Sequence, residues 1–197
     1  MSEKPWTPAW IGLGANLGSP ERQVATAIIT LAQVPGVKML RRSRYWRSKA
    51  IGPQPQPDYC NAACAIETQL EPEALLNALL DLEDAAGRTR TQRWGPRVLD
   101  LDLLHMQGVL RATTRLTLPH PQISRRAFVL VPLAEVAPRL DIPGVGVVGE
   151  RAADCDRSDL RLWLASAPPP APATTADSIA TPTSIPAPAD GPTDGES

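Results

Sequence analysis

The sequence is poor in the residues that build metal clusters. Its 197 residues include three cysteines, Cys60, Cys64 and Cys155, and two histidines, His105 and His120. The cysteines are odd in number and lack C-x-x-C spacing, which argues against a zinc site. No basic N-terminal segment leads into an apolar one, and 18 consecutive apolar residues occur nowhere. Neither a secretory leader nor a spanning helix is therefore expected, and the expected setting is cytoplasmic, with reduced thiols. Phenylalanine and tyrosine are also scarce, at one and two residues. An aromatic ring beside a polar cluster consequently carries more information than usual.

What is present fits one ordinary soluble domain, with 43% hydrophobic and 21% charged residues. From Ala167 onward the composition shifts to Pro, Ala, Thr, Ser, Asp and Gly, without Lys, Arg or an aromatic ring. Such a segment cannot offset its ordering entropy, so the expected organisation is a domain over residues 1–166 and a disordered tail over 167–197. Removing the tail's four acids turns the formal charge of -1 into +3 for the body. That mild excess suits an anionic small ligand and falls far short of a duplex-binding stripe.

Trp10 to Leu13 reads as a strand ending at the turn Gly14-Ala15-Asn16-Leu17-Gly18. Ser19, Pro20 and Glu21 then open a helix with apolar spacing at Val24, Ile28 and Leu31. Val37 to Arg47 and Asn61 to Thr68 read as strands, joined through a proline-stiffened loop, Ile51 to Tyr59. Pro72 opens a second helix carrying Leu75, Leu76, Leu79, Leu80 and Leu82, and Gly87 suits its C-terminal stop. After an arginine-rich loop, Val98 to Leu104 reads as a strand, and Phe128 to Leu133 is the last ordered stretch. The order strand, helix, strand, strand, helix, strand predicts a ferredoxin-like βαββαβ α+β domain, with an antiparallel sheet, both helices on one face and the other face open.

In the strand after the arginine loop, alternation sends Leu99, Leu101 and Leu103 one way and Asp100 and Asp102 the other. Two carboxylates some two strand rises apart, about 6.6 Å, could clasp magnesium. The plainer reading is two solvated acids. The preceding loop holds Arg88, Arg90, Arg93 and Arg97 within eleven residues, with Trp94 among them. Arginine forks meet phosphate oxygens bidentately, although a solvated basic loop or a single-stranded RNA contact explains the same residues.

Glu83 continues the apolar stripe into the last helical turn, where the helix dipole disfavours an anion. It could serve a nucleotide, or simply pair with Arg88 or Arg90. Tyr59 and Asn61 start a strand, and Phe128 follows Arg125-Arg126, a set able to stack and edge-bond a flat heterocycle. Ordinary core and loop roles remain open for them. His120, held between prolines, joins Arg115, Thr117 and Arg126 as a second set of phosphate donors.

With these residues in view, Trp10 to Leu140 resembles the hydroxymethyldihydropterin pyrophosphokinase family. The most specific block is Arg93-Trp94-Gly95-Pro96-Arg97-Val98-Leu99-Asp100-Leu101-Asp102. Gly14 to Gly18, the loop Gly52-Pro53-Gln54 through Tyr59, and Pro119-His120 match in the same order.

The resemblance implies diphosphate transfer from ATP to 6-hydroxymethyl-7,8-dihydropterin in tetrahydrofolate synthesis, by attack of the alcohol oxygen on the β-phosphorus with AMP leaving. It implies two magnesium ions on Asp100 and Asp102, with Arg88 and Arg97 as catalytic arginines. Tyr59 and Phe128 would sandwich the pterin, Asn61 would read its edge, and Ser48 and Ile51 would line its pocket. Glu83, Arg90, Leu103, Arg115, Thr117, His120 and Arg126 would surround ATP, with Trp94 closing over it.

Three departures from the family pattern stand out: Lys49-Ala50 where prolines are frequent, Pro121 after the histidine, and a segment between Arg90 and Trp94 that is one residue short. The expected partners are the two substrates, without nucleic acid or membrane, and the expected assembly is a monomer. An RNA-binding module of the same fold is the alternative; it accounts for the arginines and leaves Asp100 and Asp102 without a purpose.

Overall fold

The computed structural model describes residues 4–51, 55–87 and 96–164. Strands and helices follow as β1 (Thr7–Ala15), α1 (Pro20–Leu31), β2 (Val37–Arg42), β3 (Trp46–Ser48), β4 (Tyr59–Thr68), α2 (Pro72–Ala85) and β5 (Asp100–Met106). Then come the short strands β6 (Arg111–Ala112) and β7 (Thr117–Leu118), a 3-10 turn (Ile123–Arg125), α3 (Ala127–Val136), β8 (Asp141–Ile142), β9 (Gly146–Val147), α4 (Val148–Asp154) and β10 (Leu160–Leu162). The main sheet runs β10-β3-β4-β1-β5, with β2 also on β4, and every pairing in it is antiparallel.

Helix α1 starts where Pro20 needs no main-chain donor, and it turns Val24, Ala27, Ile28 and Leu31 inward. Helix α2 does the same with Leu75 and Leu79, and Gly87 follows its end at φ +87°, a left-handed angle that costs glycine little. Both helices pack on the sheet face carrying Ile11, Leu13, Cys64, Ile66, Leu101 and Leu103. A leucine buried as fully as Leu75 or Leu79 contributes about 1.5–3 kcal/mol, and trimming one to alanine costs roughly 2–5 kcal/mol.

Three expectations need correction. Phe128 to Leu133 is not the last ordered stretch, since β8, β9, α4 and β10 follow it. The stretch Val37 to Arg47 is two strands. At Ser43 the hydroxyl stands in for main chain, accepting from the Ala63 N–H at 2.9 Å while the Ser43 N–H donates to the Ala63 carbonyl at 2.9 Å, and the chain turns before Trp46. The second sheet face is not left open either. Trp10, Ala63, Ala65 and Leu104 on that face form a second core with Leu130, Leu133, Val136, Ile142, Val148 and Ala152 of the α3–α4 region. The stretch around Phe128 is thus a helix that buries the far half of the sheet.

A bulge lets β5 serve both cores. Leu103 faces Ile11 and His105 faces Trp10, so Leu104 is an extra residue, turned into the second core while Leu103 stays in the first. His105 stacks on Trp10 with ring centroids 5.4 Å apart, and burial lowers its pKa, so the imidazole is neutral at pH 7.

Candidate active site

Beyond the second core the sheet face becomes shallow. Trp10, Gly12 and Gly14 alternate along β1 toward its end, and the last two offer no side chain. The space above them is a cavity of about 130 Å³. Nine of the residues expected to form a site line it: Ser48, Ile51, Tyr59, Asn61, Arg97, Asp100, Asp102, Arg126 and Phe128. They arrive from β3 and the loop after it, the start of β4, the segment leading into β5, β5 itself, and the beginning of α3 with the residue before it.

The acids sit as alternation predicts, opposite Gly14 and Gly12 respectively. Arg97 Nη1 donates to Asp100 Oδ1. Burial, and secondarily the Asp100 charge, pushes the Asp102 carboxyl above its ordinary range, while His120, Arg126 and Arg97 pull it back. A half-buried pair of like charges with cations around it is a place that favours added positive charge.

On the other side of the cavity, Asn61 is buried and its Nδ2 donates to Ser48 Oγ at 3.0 Å. Its Oδ1 lies over Gly14, 3.5 Å from where a Cβ there would stand. Burial raises the Tyr59 phenol above its ordinary pKa, with Arg97 opposing, so it remains a neutral ring and donor. Phe128 in α3 and Arg126 just before it complete this wall, the guanidinium carbon lying 5.7 Å from the ring centre.

The remaining expected residues are placed differently. Glu83 is 1% exposed and lies beneath β5, where its Oε1 accepts the Leu101 N–H at 2.6 Å. The Leu103 side chain is in the first core, so anything it offers a ligand comes from its main chain. His120 is tied to β5 by its N–H, which donates to the Leu104 carbonyl at 2.8 Å, and its Nδ1 accepts from the Gln122 N–H at 3.2 Å. Arg115 donates to Asn77 on α2, and Thr117 is exposed in the β6–β7 hairpin. Arg88, Arg90 and Trp94, the segment between Arg90 and Trp94, Gly52-Pro53-Gln54 and the tail lie outside the described residues.

Sequence reading passed over two parts of this region. Lys49 also lines the cavity, and its ammonium meets Asp159 at 3.1 Å. Asn16 is buried behind the wall and bonds to both the Arg97 and the Pro57 segments. Its place in the turn Gly14 to Gly18, one of the blocks that resemble the family, is the sequence signal it gives, and that signal names no partner for it.

The family model for 7,8-dihydro-6-hydroxymethylpterin-pyrophosphokinase matches residues 10–138. The chain is 45% identical over 154 residues to the 2-amino-4-hydroxy-6-hydroxymethyldihydropteridine pyrophosphokinase of Methylorubrum extorquens, covering 78% of this chain and 97% of that one. The same-named protein of Haemophilus influenzae is 42% identical over 142 residues, 72% of this chain and 89% of the relative.

Among solved structures, an HPPK-DHPS in complex with substrates superposes with a TM-score of 0.57 at 10% identity, over 76% of this chain and 43% of that one. A Plasmodium falciparum HPPK-DHPS triple mutant with pteroate gives 0.61 at 9% identity, over 82% and 47%. This chain spans less than half the length of those two, and the likeness to them shows the fold. By its sequence over residues 10–138 and by its similarity to these relatives, the chain belongs to the hydroxymethyldihydropterin pyrophosphokinase family.

Proposed function

We propose that this chain transfers a diphosphate from ATP to 6-hydroxymethyl-7,8-dihydropterin, giving AMP and the pterin diphosphate, a step of tetrahydrofolate synthesis. Besides family membership, one observation carries the reading: the carboxylates Asp100 and Asp102 and the cation Arg97 share a single cavity with Tyr59, Asn61 and Phe128. Phosphate chemistry and a slot for a flat heterocycle thus meet at one place. An RNA-binding surface gains nothing from two acids in that position. The fold core is read as ferredoxin-like, supported by the order β3-β4-β1-β5 with α1 and α2 on one face.

In the reaction the hydroxymethyl oxygen bonds to the β-phosphorus of ATP. The bond from that phosphorus to the bridging oxygen breaks, AMP leaves with the oxygen, and the alcohol proton passes to solvent. With a loose transition state, positioning and charge are what the site must supply.

Tyr59 and Phe128 hold the ring faces. The Asn61 Oδ1 over Gly14 accepts from a pterin N–H, with Ser48 fixing the amide and Ile51 closing the rim. Arg97 and Arg88 are the proposed catalytic arginines, balancing charge on the transferring group. Arg126, Arg115, Thr117 and His120 supply donors to the ATP phosphates and ribose, and Trp94 covers them. Leu103 contributes its main chain at the β5 edge, Glu83 holds that strand, and Arg90 adds a cation.

Magnesium fits the donors present. Asp100 and Asp102 are hard oxygen ligands beside one cavity, and among the described residues no third His, Cys, Asp or Glu joins them. A pair of carboxylates completed by substrate phosphate oxygens is a usual magnesium arrangement. Two ions bound there would neutralise phosphate charge and polarise the transferred phosphoryl group.

A monomer is part of this proposal, and no described helix is long and apolar enough to cross a membrane. The deciding experiment measures AMP formed from ATP with and without the pterin, in wild type and Asp100→Ala, with and without magnesium. Pterin-dependent AMP that needs the metal and the aspartate is expected. Folded protein that forms no pterin-dependent AMP would retire the proposal.

A further inference from the structure

Asn16 belongs to none of the groups assigned above, yet it connects two of them. It follows the last residue of β1, is 1% exposed, and uses both its main chain and its amide. On one side the Arg97 N–H donates to Asn16 Oδ1 at 2.8 Å, while the Asn16 N–H donates to the Arg97 carbonyl at 3.0 Å. With its N–H and C=O both fixed, Arg97 has its Cα–Cβ direction set, and from there its guanidinium reaches Asp100. On the other side Asn16 Nδ2 donates to the Pro57 carbonyl at 3.1 Å and to Gln56 Oε1 at 3.3 Å. Gln56 lies between two prolines, so its backbone has little freedom of its own, and Tyr59 follows two residues after Pro57.

Only a carboxamide meets these demands. The acceptor faces an N–H and the two donor hydrogens face oxygens. Aspartate has the same shape but no donor, and alanine reaches neither side. We infer that Asn16 is a positioning residue for both substrates, setting Arg97 on the phosphate side and the Gln56–Tyr59 segment on the heterocycle side against each other. This inference rests on the diphosphate-transfer reading for its kinetic consequences, and on geometry alone for its structural ones.

The test compares Asn16→Asp and Asn16→Ala in the full chain, reading kcat, KM for each substrate, the thermal midpoint and hydrogen exchange of the Arg97 amide. Asn16→Asp keeps an oxygen for the Arg97 N–H and sets the other against the Pro57 and Gln56 oxygens. Its pterin KM should rise by between about five- and 150-fold, the factor attached to spoiling one buried hydrogen bond, while ATP KM stays within about twofold. Asn16→Ala should lose the Arg97 side as well, so kcat falls by a similar factor.

Without any substrate, Arg97 amide exchange should stay slow in wild type and Asn16→Asp and become fast in Asn16→Ala. If Asn16→Asp lowers the thermal midpoint yet leaves kcat and both KM values within about twofold, the role is structural and the inference is overturned. Equal Arg97 exchange in all three proteins overturns it too. Should Asn16→Asp not fold, Gln56→Ala removes one acceptor from the opposite side, and an unchanged pterin KM there is equally fatal. A wild-type chain with no pterin-dependent AMP counts against the function reading, and the exchange comparison still decides the structural claim.

Discussion

Removing Glu83 tests whether one carboxylate holds the acidic strand in place. Among the described residues strand β5 is the edge of the main sheet, with no strand paired on its outward side. The Leu101 N–H, lying between Asp100 and Asp102, finds Glu83 Oε1 at 2.6 Å instead. Glu83→Ala would leave that buried donor unpaired and remove a charge-assisted bond, a cost of about 1.5–3 kcal/mol. At about 2–4 °C per kcal/mol for a domain of this size, the thermal midpoint should fall by roughly 3–12 °C. Glu83→Gln keeps a carbonyl acceptor and should lose about 1 kcal/mol or less. Thermal and urea unfolding of the three proteins, paired with AMP formation, read these effects, and kcat should fall more in the alanine variant than in the glutamine variant. A midpoint for Glu83→Ala within about 1 °C of wild type would refute the reasoning, since the edge would then be held by something else.

Asp102→Asn removes a carboxylate that burial and Asp100 already push toward the neutral form, so most pterin-dependent AMP should vanish with no fall in thermal midpoint; wild-type turnover would sink the metal assignment. Gly14→Val suits a strand but fills the floor below Asn61 and Tyr59, and should raise pterin KM by about five- to 150-fold, as overpacking of 1–3 kcal/mol does, while ATP KM holds. Cys60 and Cys64 are fully buried with thiols pushed from 9.0 up to about 12. Their contribution to stability is therefore complete below pH 9 and is lost as pH rises toward 12, by about 2.5 kcal/mol in total between pH 8 and pH 10, and urea midpoints of a Cys60→Ala/Cys64→Ala chain should lack that loss. Ending the chain after Ser166 should leave turnover intact. Ending it after Asp159 removes β10 and the Trp163 bonds to Tyr45 and Glu21, and should lower the midpoint by at least about 4 °C.

The parts legible in the sequence were those with a period. Val24, Ile28 and Leu31 repeat at helical spacing and face the core, and the Leu-Asp alternation of β5 put both carboxylates on the cavity side. Helix α3 was not legible because Phe128 to Leu133 is nearly all apolar: buried as it is against sheet and α4, it carries no polar face to mark a period, and Pro132 lies inside it. The break between β2 and β3 rests on one serine hydroxyl. Asn16 depends on partners 81 and 41 residues away, a relation that no local pattern reports.

The unread helix also explains where the cavity lies. Trp10, Ala63, Ala65 and Leu104 need cover, and α3 supplies it over one half of the face. Over the other half, Gly12 and Gly14 present nothing to bury, so the helix start hangs Arg126 and Phe128 over open space rather than over core. Glu135 near the far end fixes the helix, accepting the Arg44 N–H at 2.8 Å, the Arg44 guanidinium, and Trp46 Nε1 at 3.2 Å. The same sheet face is thus apolar core where α3 packs and the floor of a cavity where it begins. The two glycines in β1 decide the boundary, because any larger side chain there would extend the core into the site.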